Sequence, residues 1–420
     1  MNLLKKYFRK SVIAIILASL FSISAISQAA ADGITWTSRS AAADNAWLSV
    51  TYGNGLFVAV SWTGTGNRVM TSPDGITWTS RTSAADNSWY SVTYGNGLFV
   101  AVSQDGTNRV MTSPDGINWT GRTAAAGNVW RSVTYGNGLF VAVSQTGVAN
   151  RVMTSPDGIT WTSRTSAADK FWVSVTYGNG LFVAVSQSEE DPQVMNRVMT
   201  SPDGITWTGR TAAADNNWRS ITYGNGLFVA VSRDGTNRVM TSPDGINWTG
   251  RTAAESNTWD SVTYGNGLFV AVSWTGTNKI MTSPDGITWT ARTSPSNNEW
   301  TSVTYGDGLF VAVSQNGTGN RVMTSGAIGL AARTAAVANA EAARVAEAAR
   351  VAAANAEAAR KAKEQQELRE ILALIPKIGE LTLSLGETTK SLHSNKCVKG
   401  KTTKYVKYGA KCPKGYVRKK

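Results

Sequence analysis

From Asp32 to Ser325 the hydrophobic and polar positions follow one order over and over. Its fixed point is an apolar run, Leu-Phe-Val-Ala-Val-Ser, as at Leu98 to Ser103. Six residues are too few for a stable helix, and near-continuous apolarity marks a strand covered on both faces. Ahead of it, Trp89 to Tyr94 reads as a strand closed by Gly95-Asn96-Gly97, where Asn-Gly supplies the positive φ of a two-residue hairpin. Behind it come the polar loop Gln104 to Asn108, the short strand Arg109 to Thr112, and the turn Ser113-Pro114-Asp115-Gly116. In that turn Pro presets φ, Asp accepts hydrogen bonds from nearby backbone N–H groups, and Gly takes a conformation that a Cβ would penalise. The remaining strand is read at Ile76 to Arg81, ahead of the polar loop Thr82 to Ser88. One repeat therefore predicts a four-stranded antiparallel meander.

The Asp of this turn recurs as Asp32, Asp74, Asp115, Asp157, Asp203, Asp244 and Asp285, at intervals of 42, 41, 42, 46, 41 and 41 residues. A period in the forties built from short strands predicts the blades of a β-propeller. The first copy supplies only the last strand of a blade, and the final one, Trp300 to Ser325, stops after three. The expectation is an all-β, seven-bladed β-propeller of four-stranded antiparallel blades. Ile34 to Arg39 would complete the sheet of Trp300 to Ser325 and leave no open edge. Two tryptophan series, one from Trp36 to Trp289 after each SPDG turn and one from Trp47 to Trp300 before each apolar strand, serve as packing wedges between sheets. Each would contribute about 2 to 4 kcal/mol on burial. They account for all but Trp62 and Trp274.

Ser72-Pro73-Asp74-Gly75-Ile76-Thr77-Trp78 and its copies resemble the Asp-box repeat, the bacterial neuraminidase repeat of sialidases and other secreted propellers. The resemblance covers 32–325. It departs from the usual box in that Gly75 directly follows Asp74 and Trp78 comes four residues after it, which makes a shortened turn. It implies a propeller whose boxes lie on blade hairpins away from any active site. The activity it implies as an alternative is glycoside hydrolysis of the sialidase type, which requires three Arg for a substrate carboxylate, a Tyr/Glu nucleophile pair and an acidic proton donor. Arg68, Arg109, Arg151, Arg197, Arg238 and Arg321 share one repeat position with Lys279, and Tyr52, Tyr94 and their copies share another. Residues repeated in every blade do the same structural job in every blade. No unrepeated Tyr/Glu pair stands out, and the repeats hold no His or Cys for base, nucleophile or metal ligand. A non-enzymatic chain is expected, with no catalytic residue, cofactor or metal.

Differences between copies are more telling. The turns Tyr-Gly-Asn-Gly and Ser-Pro-Asp-Gly hardly change, while the loop before the inner Trp and the loop after the apolar strand change most. In a propeller meander these two loops emerge on one face of the disc. After the inner Trp stand Leu48, Tyr90, Arg131, Val173, Arg219, Asp260 and Thr301, and after the apolar strand Trp62, Gln104, Gln145, Gln187, Arg233, Trp274 and Gln315. Trp62, Tyr90, Arg131, Arg219, Arg233 and Trp274 are the candidate ligand-binding residues, because aromatic and Arg side chains at blade-specific points suit a glycan or protein ligand. The acidic insertion Ser188 to Pro192 lacks the alternating oxygen-ligand pattern of a Ca²⁺ loop and reads as a solvated loop, a Ca²⁺ role for Glu189 to Asp191 staying open.

Charge separates the repeats from the C-terminal segment. The chain carries a net +13, yet 32–325 hold 18 Lys and Arg against 20 Asp and Glu, whereas 326–420 hold 19 against 8. Residues 1–31, with Lys5, Lys6, Arg9 and Lys10 ahead of an apolar stretch and Ala29-Ala30-Ala31, read as a secretory signal, so the chain is expected to be secreted or associated with the cell envelope. Residues 326–375 are Ala-rich, with Glu and Arg three apart at Glu341/Arg344, Glu347/Arg350 and Glu357/Arg360, and predict a long α-helix serving as stalk. The alternative there is oligomerisation through Leu368, Ile371, Leu372 and Ile375. A linker, 376–395, leads to a basic tail, 396–420, in which Cys397 and Cys412 are expected to form a disulfide. Zinc would need a ligand beyond these two and His393. The tail resembles the basic two-Cys tails that close other exported bacterial proteins. An anionic envelope polymer or lipid surface is its expected partner, with nucleic acid disfavoured.

Overall fold

The computed structural model describes residues 33–187, 196–325, 357, 360, 363–367 and 394–419. The segment expected to be a secretory signal, residues 188–195 with the acidic insertion, and most of the expected stalk and linker lie outside the described residues. The chain divides into two units, Met1–Ala348 and Ala349–Lys420.

The first unit contains seven four-stranded antiparallel sheets. In one of them, Trp47–Gly53, Leu56–Ser61, Val69–Ser72 and Thr79–Arg81 pair in chain order. Six sheets follow this scheme. In the seventh, Trp36–Arg39 pairs with Val322–Ser325, so that a strand from the start of the repeats completes the blade formed at their end. The apolar strands are almost wholly buried, as a strand between two neighbouring sheets must be. All seven inner-strand tryptophans, Trp47 through Trp300, are 0% exposed. Each blade's core also includes valines of the preceding blade, as where Trp89 and Phe99 pack with Val58, Val60 and Val69. The hydrophobic core is therefore a ring of inter-blade layers.

The SPDG segment is a turn, as expected, and the turn extends past Gly75 into the segment expected to be strand. Asp74 Oδ1 accepts from the backbone N–H groups of Ile76 and Thr77 at 2.9 and 2.8 Å and from the Ser72 hydroxyl at 2.9 Å. Those N–H groups are thereby committed, and the outer strand begins only at Thr79, not at the predicted Ile76. The indole of Trp78 donates back to Gly75 O at 3.1 Å, closing the turn. A Cβ on Gly75, whose φ is +69°, would come within 2.8 Å of Leu309 in the preceding blade. At the hairpin, Asn54 and Gly55 have φ of 49° and 70°, the pair of positive values that a tight hairpin reversal requires.

In the second unit Glu357, Arg360 and 363–367 are helical, and Lys363 and Glu367 lie 3.9 Å apart as an i,i+4 pair. Ser394–Lys399 pairs with Thr402–Lys407 on one side and Val417–Arg418 on the other, making a three-stranded sheet. A disulfide joins Cys397 to Cys412 with Cα atoms 5.7 Å apart. Tyr405 and Tyr408 are exposed, Lys404 lies over the Tyr416 ring and Arg418 over that of Tyr408.

Candidate functional site

The inner strands carry a repeated irregularity that builds the site. In each blade the pairing register slips by one residue just after the inner Trp, as between Trp130 and Ser132, leaving Arg131 as the extra residue of a β-bulge. The bulged residues are Leu48, Tyr90, Arg131, Val173, Arg219, Asp260 and Thr301, and all seven line one cavity of about 120 Å³ at the centre of the ring. Five of the serines that follow a bulge line it as well, Ser49, Ser91, Ser174, Ser220 and Ser261. The serines at this position close a hydrogen-bonded circle. Ser49 Oγ accepts from Val92 N of the next blade at 3.2 Å, and the relay continues through Ser91, Ser132, Ser174, Ser220 and Ser261 until Ser302 accepts from Val50 at 3.1 Å.

Backbone hydrogen bonds join the two loops that differ from blade to blade. The residue after each apolar strand donates its N–H to the carbonyl just before the inner Trp, as in Trp62 to Ala46, Arg233 to Asn217 and Trp274 to Thr258. The two variable loops are thus stitched together blade by blade. The periodic cation supports the same junction: Arg68 reaches Trp62 O at 2.8 Å, Arg238 reaches Arg233 O at 2.7 Å, and Lys279 reaches Trp274 O at 3.0 Å. Repeated Arg and Ser residues hold the frame, and the side chains that differ stand on it.

Of the six candidate ligand residues, Tyr90, Arg131 and Arg219 line the cavity together. Arg233 joins them through Asp260, giving Nε to Oδ1 at 2.5 Å and a second nitrogen to Oδ2 at 3.0 Å, while Arg219 Nε lies 3.4 Å from the same carboxylate. Arg131 lies 3.8 Å from the centre of the Tyr90 ring and Arg233 4.6 Å from that of Trp274, cation–π contacts worth about 0.5 to 2 kcal/mol each. Trp274 is thus partly covered, and its buried indole N–H has no hydrogen-bond partner among the described residues. Trp62, 39% exposed, stands on the rim of its own blade and does not line the cavity.

Asp260 is the residue that the candidate set lacked, although its place in the bulge series marked it. Its side chain is 2% exposed, and it is the one carboxylate among the cavity residues. Burial pushes the Arg219 guanidinium down to about 10, against the pull of Asp260 and with the repulsion of Arg131 and Arg233 adding to the fall. Burial likewise lowers Arg131, with Tyr90 opposing the shift. Among the described residues no group of three or more His, Cys, Asp or Glu is placed to hold a metal ion.

No family model matches the chain, and no curated protein matches it. Solved structures do. YCF48 from Cyanidioschyzon merolae superposes with a TM-score of 0.53 at 14% identity, over 69% of this chain and 98% of that one. The Cps50 (Swd1) β-propeller domain of Myceliophteria thermophila gives 0.49 at 9% identity, over 69% and 99%. At such identities the first likeness concerns the fold alone.

Proposed function

We propose that the chain is an exported, non-enzymatic β-propeller that presents a ligand-recognition face, with a helical stalk and basic tail holding it at the cell envelope. The observation that carries this reading is the division of labour within the repeats. Invariant residues bond to backbone and to neighbouring blades, whereas Tyr90, Arg131, Arg219 and Asp260 differ between blades and converge at the ring centre. A rigid frame with blade-specific side chains suits recognition of a glycan or a protein. The tail suits an anionic partner, because 394–419 hold nine Lys and Arg and no acid. The decisive experiment is a screen of the full chain against glycan and protein arrays, repeated with Arg219→Ala. A hit that survives this substitution with unchanged affinity overturns the proposed face.

The glycosidase alternative draws on the same cavity, since Tyr90, Asp260, Arg131 and Arg219 line it and Arg233 is bonded to Asp260. Against it, Asp260 is buried and held by two nitrogens of Arg233, which leaves no free carboxyl among the cavity residues to donate a proton. Turnover of chromogenic glycosides by the full chain, abolished by Asp260→Asn, would favour the enzyme.

A further inference from the structure

The charged cluster at the cavity has a surplus of positive charge. Arg131, Arg219 and Arg233 act on one another and on a single carboxylate, Asp260, whose two oxygens are already engaged by Arg233. Arg131 has an aromatic ring beneath it and no carboxylate of its own. Three guanidinium groups against one carboxylate leave two positive charges at a largely desolvated site. There like charges repel far more strongly than in water.

Hydrogen bonding points the same way. Each serine of the circle uses its oxygen to accept a backbone N–H from the neighbouring blade, as Ser220 does from Val262 at 3.1 Å. Its own O–H has no acceptor among the described residues, so the serine ring adds hydroxyl donors to the guanidinium donors of Arg131 and Arg219. The cavity lining is therefore rich in donors arranged around an axis, and what it lacks is an acceptor carrying about two negative charges.

We infer that the cavity at the ring centre is a binding site for a tetrahedral oxyanion, a phosphate group, held between Arg131 and Arg219 beside the serine ring. This rests on the recognition face proposed above and names the chemistry of its ligand. A phosphate dianion neutralises the surplus, and its oxygens point in several directions, so it can accept from blades on opposite sides of the axis. A planar carboxylate brings one charge and one plane. A cavity of about 120 Å³ is small beside ordinary ligand pockets of about 300 to 1,000 Å³. It takes the charged group, and any remainder of the ligand lies over the loops.

The test is calorimetric titration and thermal shift of the full chain with inorganic phosphate, sulfate, acetate and glycerol phosphate at constant ionic strength. Saturable binding of phosphate is expected, with Arg131→Gln weakening it about tenfold or more, the loss of a hydrogen bond to a charged group. Relief of the repulsion from Arg219 and Arg233 offsets the lost contact with the Tyr90 ring, so this variant should melt close to wild type without phosphate. Asp260→Asn should tighten binding, an effect of opposite sign that a merely structural role does not produce. Glycerol phosphate binding as well as phosphate identifies a group carried by a larger ligand, and phosphate alone identifies a free ion; either supports the site. No saturable phosphate binding, equal binding of acetate, or unchanged affinity in Arg131→Gln overturns it. Should these fail while the array screen finds a ligand sensitive to Arg219→Ala, the recognition face stands and only the oxyanion falls.

Discussion

Replacing Trp36 by Ala tests how the ring is closed. Trp36 is 8% exposed, its indole donates to Gly33 O at 2.9 Å, and its ring lies 6.5 Å from that of Phe310. Together with the strand pairing from Trp36/Ser325 to Arg39/Val322 and the Arg39 bond to Thr324 Oγ1 at 3.0 Å, it ties the first described strand to the last blade. Truncating a buried tryptophan costs about 3 to 5 kcal/mol, and the residual exposure places this one near the lower end. A loss of that size lowers the melting temperature by roughly 6 to 12 °C in a domain of a few hundred residues. Trp289→Ala is the matched control, since Trp289 is 9% exposed and makes the same indole bond, to Gly286 O at 3.1 Å. Its strand, Thr290–Arg292, belongs to a blade whose four strands follow one another in the chain. Both variants should lose similar stability in equilibrium denaturation. Only Trp36→Ala should accelerate hydrogen exchange at Val322–Ser325 selectively, because there the partner strand is held by contacts alone. Equal protection of Val322–Ser325 in the two variants, or an unchanged melt for Trp36→Ala, would refute this account of closure.

Ser261→Ala leaves the buried N–H of Val303 without its acceptor and should cost about 1 to 3 kcal/mol in urea denaturation, whereas a neutral result would dissolve the structural role of the serine circle. Acid should loosen the turns. Backbone N–H donors, those of Thr206 and Ile205 at Asp203 and their counterparts at Asp244 and Asp285, hold these carboxyls below the ordinary aspartate range. A depressed folded pKa stabilises fully above the ordinary value of about 4 and is lost as pH falls below it. The melting temperature should therefore drop between about pH 5 and pH 2, and drop less when the three residues are Asn; identical profiles would count against the mechanism. Removing the tail from Lys390 should abolish salt-sensitive retention on anionic vesicles, and retention that persists would move that role to the blades.

Local physics made the scaffold legible without coordinates. A six-residue apolar run can only be a covered strand, Asn-Gly fixes a hairpin, and a repeat of about 41 residues with complementary incomplete ends forces a ring that closes between Trp36 and Ser325. The variable face was legible too, because meander connectivity alone places both loops of a blade on one side. What the sequence could not fix depended on distances around the ring. Trp62 and Trp274 stood out equally along the chain, yet Trp274 lies beneath Arg233 while Trp62 remains on its rim. Asp260 was one of seven differing residues until the ring brought it between Arg219 and Arg233, residues 41 and 27 positions away. The outer strand began at Ile76 by β propensity and at Thr79 in the fold, because Asp74 claims the N–H groups that a ladder would need. Repetition dictates the frame, since each blade meets the same neighbours. The chemistry at its centre is decided by closure, which turns seven positions far apart in the chain into the wall of one cavity.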